Sequence, residues 1–229
     1  MSEHHFAGFL IAIEGIDGAG KTTQAHFVQE QLQSRKLAVV RTKEPTMGHW
    51  GQILRDSALT GRLSLEEEVE AFVNDRREHV EQVILPELKA SKIVILDRYY
   101  FSTSAYQGAR GIDPEELIRR NEQFAPEPDL LIILDIDPKI GLDRIRTRGD
   151  RANLFEKTGT LKKAREIFKS IKKPYLYRVD ATQPVDTIRD LIVRQFSAMS
   201  AERIAKSDAH PHDKLNATLK LFGADPLGA

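Results

Sequence analysis

Gly15-Ile16-Asp17-Gly18-Ala19-Gly20-Lys21-Thr22 satisfies the spacing G-x-x-x-x-G-K-[ST], between the apolar run Phe9-Leu10-Ile11-Ala12-Ile13 and a helix-period stretch over residues 22–33. Strand, glycine-rich turn and helix in that order make a phosphate-binding loop. The glycines let consecutive backbone N–H groups point inward, and the helix N-terminus adds partial positive charge where an anion sits. In such a loop Gly15, Ile16, Asp17, Gly18, Ala19, Gly20, Lys21, Thr22 and Thr23 surround the phosphates of a nucleotide. Lys21 reaches the β- and γ-phosphates, and the Thr22 hydroxyl holds Mg²⁺. The loop identifies nucleotide binding and leaves the reaction open, because many such loops drive motion or switching.

Outward from the loop, short apolar runs alternate with longer helix-period stretches. Further strands are expected at 37–40, 93–96, 130–134 and 175–179. Continuous apolar runs suit strands buried on both faces, and their alternation with helices implies an α/β fold with five parallel strands and helices on both sides. Helix starts are legible too. Ser64-x-x-Glu67 reads as a capping box, and Asp113-Pro114-Glu115-Glu116 reads as an N-cap, a Pro at the first helical position and a second box. Ile188, Leu191, Ile192 and Phe196 recur at helical spacing after Pro184. Beyond 206 the spacing fades, although Leu215, Leu219, Leu221 and Phe222 suit a short docking helix.

With 229 residues, 41% hydrophobic and 30% charged, the chain fits one globular domain and excludes disordered and fibrous classes. The absence of cysteine excludes a disulfide framework and Cys-based zinc sites. No apolar run approaches a membrane span and residues 1–8 lack a signal-peptide pattern, so a cytoplasmic protein without a membrane partner is expected. Lys+Arg and Asp+Glu balance at 34 each, which argues against a nucleic-acid polymer as partner. Positive charge is nonetheless concentrated: residues 139–178 hold 13 basic and 4 acidic side chains, a stretch suited to gripping an anion.

The run 93–96 ends in Asp97-Arg98-Tyr99-Tyr100, at the end of a strand where open α/β sheets bind ligands. Asp97 is placed to orient Mg²⁺, and Arg98 offers a planar fork for phosphate. The alternative is that the two form a structural ion pair with each other. Phe72 shares helical spacing with Val69 and Val73, which suits a core position equally well, but Arg76 lies four residues on, along the same face.

These motifs together resemble the thymidylate kinases over about residues 9–196. They are Gly15-Ile16-Asp17-Gly18, Glu44-Pro45-Thr46, Phe72-x-x-Asp75-Arg76, Asp97-Arg98-Tyr99, Ser102 to Gly108, Pro128-Asp129-Leu130, Leu134 to Pro138 and Arg144-x-Arg146-x-Arg148. The resemblance implies transfer of the ATP γ-phosphate to dTMP with Mg²⁺, in a P-loop NTPase fold that carries a short arginine-rich lid whose closure excludes water, which otherwise competes as the acceptor. It implies that Asp17 accepts from the 3′-hydroxyl of the sugar, Phe72 stacks on thymine and Arg76 donates to a thymine carbonyl. Ser104, Tyr106 and Gln107 then close the base and sugar pocket, Glu44 stands on the acceptor side, and Arg55 and Arg98 hold the dTMP phosphate. Thr22 and Asp97 become the metal residues, and Asp17, Lys21, Arg98, Arg148 and Arg151 the catalytic set.

The same resemblance implies a homodimer and a mobile lid after Leu142, from which Arg144, Arg146, Arg148 and Arg151 are candidates to reach the phosphates. The loop itself supplies no basic residue between Ile16 and Ala19, so the lid must provide that charge. Arg144 and Arg148 share a helical face, with Gly149-Asp150 ending the helix before Arg151; which arginine reaches the transferred group stays open. Lys43 stands where the family usually has arginine, and Met47-Gly48-His49-Trp50 replaces smaller residues. The division expected is a kinase domain over 1–205 and an extension of unknown role over 206–229. Two rivals remain: a kinase of another pyrimidine monophosphate such as dUMP, because a missing methyl is worth at most about 1–3 kcal/mol, and a nucleotide-dependent switch that transfers nothing.

Overall fold

A computed structural model describes residues 8–61, 63–147 and 154–224. Arg148 and Arg151, both expected in the lid, lie outside the described residues. Five strands, β1 (Phe9–Glu14), β2 (Val39–Lys43), β3 (Ile93–Asp97), β4 (Leu130–Asp135) and β5 (Leu176–Asp180), form one parallel sheet in the order β2-β3-β1-β4-β5. Every residue of β1 and β3 is buried, as their unbroken apolar runs require of strands covered on both faces. Each Leu or Ile removed from water there contributes about 1.5–3 kcal/mol. All five expected strands are present. β2 begins at Val39 rather than Leu37 and runs on to Lys43, because an edge strand keeps one wet face and continues through polar residues that an apolar-run reading omits.

The helices are α1 (Lys21–Ser34), α2 (His49–Thr60), α3 (Leu65–His79), α4 (Leu85–Lys89), α5 (Tyr100–Gly108), α6 (Pro114–Glu122), α7 (Pro138–Thr147), α8 (Leu154–Ser170), α9 (Val185–Lys206) and α10 (Pro211–Leu221), with a π turn over Val80–Ile84 between α3 and α4. α1 packs against α9, while α5 packs against α6 and α8. The capping box at α3 forms in both directions: Glu67 N–H donates to Ser64 Oγ at 3.2 Å and Ser64 N–H to Glu67 Oε2 at 2.9 Å. At α6 the Asp113 cap and Pro114 are present, but the second box is absent. Asp113 Oδ1 accepts from Glu115 N–H at 3.0 Å, and Glu116 turns instead to pair with Arg119 one turn on.

The docking helix expected near the C-terminus is α10. It lies on α9 and buries Leu221 in the main core, while Leu215 and Phe222 stay exposed. Ser197 Oγ, on α9, donates to Leu221 O at 3.1 Å, and Arg35 at the end of α1 donates to the same carbonyl. The carboxyl ends of β1 and β3, neighbours in the sheet, bring the glycine-rich turn beside Asp97 and Arg98.

Candidate active site

The phosphate loop joins β1 to α1 and is closed over by α7. Gly18 has φ +82°, and a Cβ there would come within 2.2 Å of Gly141 O on α7. A Cβ on Gly141 would in turn meet Asp17 O at 2.6 Å, so two glycines permit the helix to sit against the loop. Lys21 Nζ donates to Gly15 O and Ile16 O, each at 2.9 Å. Burial and the Arg98 charge draw its pKa down to about 7, against Asp17, Asp97 and Glu14.

Asp97 and Arg98, adjacent in sequence, do not pair with each other. Thr22 Oγ1 donates to Asp97 Oδ2 at 2.5 Å, whereas the Arg98 guanidinium forms an ion pair with Asp17. The alternative of a structural Asp97–Arg98 pair is thereby corrected: Arg98 takes φ +73°, which turns its side chain from the strand end toward the loop. A non-glycine residue in that region carries about 1–3 kcal/mol of strain, offset here by the bonds that hold it. Arg98 N–H donates to Ile13 O at 3.1 Å, and Nη1 donates to Ser102 Oγ at 3.3 Å. Asp17 N–H donates to the Tyr106 hydroxyl at 2.9 Å, and the Arg98 guanidinium lies 5.6 Å from the Tyr106 ring centre. Burial would raise the Asp17 pKa, but the charges of Arg98 and Lys21 outweigh it and hold the carboxyl below its usual range.

Beneath this group lies Glu14, fully buried, which sequence reasoning passed over. Its Oε1 accepts from Tyr99 N–H at 2.7 Å and Ser102 N–H at 3.0 Å, and its Oε2 from Ser102 Oγ at 2.6 Å. The carboxylate thus caps the N-terminus of α5 and fixes Ser102, which holds Arg98. Burial pushes its pKa up to about 7 against those hydrogen bonds and the Arg98 charge. The available signal was an acidic residue at the end of an otherwise apolar run.

On the other side, α3 and α5 hold the residues expected to read a base. Arg76, 1% exposed, donates from Nε and Nη2 to Glu44 Oε2 at 2.8 and 2.6 Å, from Nη1 to Asn121 Oδ1 at 2.7 Å and from Nη2 to Thr103 Oγ1 at 3.1 Å. Glu44 gives its other oxygen to His79, so it stands behind Arg76 rather than on an open surface. Phe72 is half-buried and belongs to neither cluster of buried apolar side chains, whereas Val69 and Val73 form the smaller one with Leu117. That separates Phe72 from the core alternative. Arg55 Nη1 donates to Thr46 O at 2.6 Å, and Asp75 fastens the same loop by accepting from Thr46 N–H at 2.8 Å and its hydroxyl at 2.6 Å.

One expected contact residue is placed elsewhere. Ser104 is 0% exposed and its hydroxyl donates to Pro114 O at 3.0 Å, so it ties α5 to α6 and has no surface to offer a ligand. Gln107 is buried as well, with an Oε1 that has no hydrogen-bond partner among the described residues. Asp75, His79, Thr103 and Asn121 had been given no role by sequence reasoning.

A groove of about 510 Å³ opens beside the loop, walled by Gly18, Thr23, Ile140, Arg144, Ala181 and Val185. Arg144 spans its edge, donating to Ala181 O at 2.9 Å and Gly18 O at 3.4 Å, while Arg146 is exposed and paired with Asp143. Of the lid arginines among the described residues, Arg144 alone touches the loop. The loop, Lys21 and this groove suit a nucleoside triphosphate. Thr22 Oγ1 and Asp97 Oδ2 are hard oxygen donors of the kind Mg²⁺ takes, with waters and phosphates completing its shell. Among the described residues no three His, Cys, Asp or Glu side chains gather as a separate metal centre.

Comparison with known proteins gives the family that the chain is similar to. The model of the family described as Thymidylate kinase matches residues 13–192. A thymidylate kinase of Akkermansia muciniphila is 51% identical over 174 residues, covering 76% of this chain and 84% of its own. One from Xanthomonas euvesicatoria pv. vesicatoria is 48% identical over 219 residues, 96% of each chain, and one from Xanthomonas oryzae pv. oryzae is 47% identical over 217 residues, 95% of each.

Proposed function

The chain belongs to the thymidylate kinase family, and from that premise we propose that it phosphorylates dTMP to dTDP with ATP as donor and Mg²⁺ as the metal. The observation that carries the reading is the ion pair between Arg98 and Asp17. Asp17 is the third residue of the phosphate loop, so the donor cradle and the acceptor grip share one wall.

In this reading the loop N–H groups and Lys21 receive the donor phosphates. Lys21 leaves the carbonyls of Gly15 and Ile16 to do so, and the incoming negative charge restores its full positive charge. Thr22 and Asp97 would hold the metal, whose positive charge would supply neutralisation of the phosphates. Arg98 and Arg55 position the dTMP phosphate, one of whose oxygens attacks the γ-phosphorus while the bond from that phosphorus to the β-bridging oxygen breaks and ADP departs. Asp17 accepts from the sugar 3′-hydroxyl, Phe72 stacks on the base, and Arg76 donates to a carbonyl that cytosine and adenine do not present at that place. Tyr106 and Gln107 back the sugar and base. Arg148 and Arg151 are proposed to bring the lid's charge to the transferred group, and Arg144 walls the donor groove.

Among the described residues no helix is long and apolar enough to cross a membrane. We place the protein in the cytoplasm as a homodimer on family membership. We also take 1–205 as the kinase domain and 206–229 as an extension whose helix α10 docks on α9. A coupled ADP-release assay with ATP and Mg²⁺, first without acceptor and then with dTMP, dUMP, dCMP, dGMP and UMP, tests the function. Release that depends on dTMP is the expected result; release independent of any acceptor would instead mark an ATPase or switch.

A further inference from the structure

An arginine reads a carbonyl only if its planar fork is held in place, and the holding falls to groups that never touch the ligand. Glu44, at the end of β2, accepts from Arg76 on Oε2 and from His79 on Oε1, the latter at 3.1 Å. Arg76 and His79 are three residues apart on one face of α3. Burial alone would raise the Glu44 pKa, but Arg76 and His79 hold it below its usual range, so the carboxylate is ionised and accepts only. His79 Nδ1 therefore carries the hydrogen of that bond, and Nε2 meets Thr42 Oγ1, on β2, at 2.8 Å. Four of the five Arg76 N–H groups go to Glu44, Asn121 and Thr103. The second hydrogen on Nη1 has no partner among the described residues.

We infer that His79 is a positioning residue for selection of the pyrimidine base. Its Nδ1–H sets the plane of the Glu44 carboxylate, the carboxylate sets the plane of Arg76, and the remaining Nη1 hydrogen is thereby held for the base carbonyl. Thr42 anchors the far edge of the imidazole, so the relay runs from β2 through α3 and back to the site. Without the Nδ1–H, Glu44 Oε1 would be buried without its donor and the carboxylate would turn, taking the guanidinium with it. The inference rests on the proposed reading of Arg76 as the group that meets the base.

The test is steady-state kinetics with ATP and Mg²⁺ and with dTMP and dCMP as acceptors, on the wild type, Arg76→Met, His79→Gln and His79→Asn, with thermal unfolding of each. An asparagine amide stands near the imidazole Nδ1 position and a glutamine amide near Nε2, so only the first replaces the lost donor. His79→Gln is expected to raise the dTMP KM about tenfold and lower the dTMP-to-dCMP preference by a similar factor, with kcat within about threefold. His79→Asn should restore most of both. Should His79→Gln not fold, Thr42→Val, which frees the other edge of the ring, must raise the dTMP KM in the same way. Variants that lose thermal stability while the dTMP KM and preference stay at wild-type values would overturn the inference and leave His79 a packing residue. If Arg76→Met also keeps the wild-type preference, the reading of Arg76 falls; if only Arg76→Met loses it, the relay through His79 falls alone.

Discussion

Thr22 Oγ1 and Asp97 Oδ2 stand 2.5 Å apart, joined by one hydrogen bond although 75 residues separate them in the chain. One oxygen comes from the start of α1 and the other from the end of β3, where both can face a cation that also meets nucleotide phosphates. Thr22→Val and Asp97→Asn are each expected to raise the Mg²⁺ concentration for half-maximal ADP formation about tenfold, with the dTMP KM changed less than about threefold. A Mg²⁺ titration checks this. An unchanged midpoint in both variants would remove the pair from the metal site.

Arg98 owes its place to Asp17, Ser102 and a left-handed backbone, so its charge and its fork are separable. Arg98→Ala and Asp17→Ala should each lower kcat/KM for dTMP by about a hundredfold or more, because positioning and charge neutralisation supply most of the acceleration in phosphoryl transfer. Arg98→Lys keeps the charge without bidentate geometry and should recover only part of the loss. Circular dichroism should show the fold intact in all three; near-normal turnover in both alanine variants contradicts the site assignment.

Gly141 touches the phosphate loop only through its lack of a side chain. A Cβ there would lie 2.6 Å from Asp17 O, a distance backbone cannot tolerate, so Gly141→Ala must move α7 off the loop. The expected result is a fall in kcat/KM of about tenfold or more. Gly159→Ala on α8 is the control, since a Cβ there meets nothing within 4 Å, and it should keep activity while gaining about 0.5–1 kcal/mol of helix stability. Equal kinetics in the two variants would mean that the close approach of α7 is irrelevant to turnover.

The parts legible in the sequence were those whose physics is local. Strands buried on both faces leave unbroken apolar runs, so β1, β3 and β4 could be read directly, whereas the polar end of edge strand β2 could not. The phosphate loop, Asp97 and Arg98 have local spacing or strand-end position to mark them. Glu14, Asp75, His79 and Asn121 act by holding other residues, and their partners lie 88, 29, 35 and 45 positions away, at Ser102, Thr46, Glu44 and Arg76. Nothing in a local pattern announces such a partnership. Ser104 shows the reverse: the motif drew it toward the ligand, but the turn of α5 points its hydroxyl at Pro114.

Phe72 and Val73 are neighbours on α3 with opposite surroundings. Phe72 stands outside both apolar clusters, while Val73 is 2% exposed inside one. Stacking of a base on an aromatic ring is worth about 1–3 kcal/mol, so Phe72→Ala should raise the dTMP KM roughly 5- to 150-fold at nearly unchanged thermal stability. Val73→Ala should cost about 2 kcal/mol of stability and leave the dTMP KM near its wild-type value. The two substitutions thus separate binding from packing in paired calorimetry and kinetics. A destabilised Phe72→Ala with an ordinary KM would return Phe72 to the core.

Glu14 makes the stability of the nucleotide-free protein depend on pH. Its pKa rises from the ordinary carboxyl value of 4.5 to about 7 on folding, chiefly through burial. The folded chain therefore binds this proton more tightly than the unfolded chain, and the stability it contributes is present below about pH 4.5 and lost as pH rises through about 7. Glu14→Gln keeps a carbonyl for the N–H groups of Tyr99 and Ser102 but has no charge to desolvate, so it does not share that loss. Nucleotide-free Glu14→Gln should accordingly gain in melting temperature relative to the wild type as pH is raised from 5 to about 7.5. Scanning calorimetry at the two ends of that range reads the difference. A constant offset would mean that Glu14 is already ionised at pH 5, held so by Ser102 and Arg98 despite its burial.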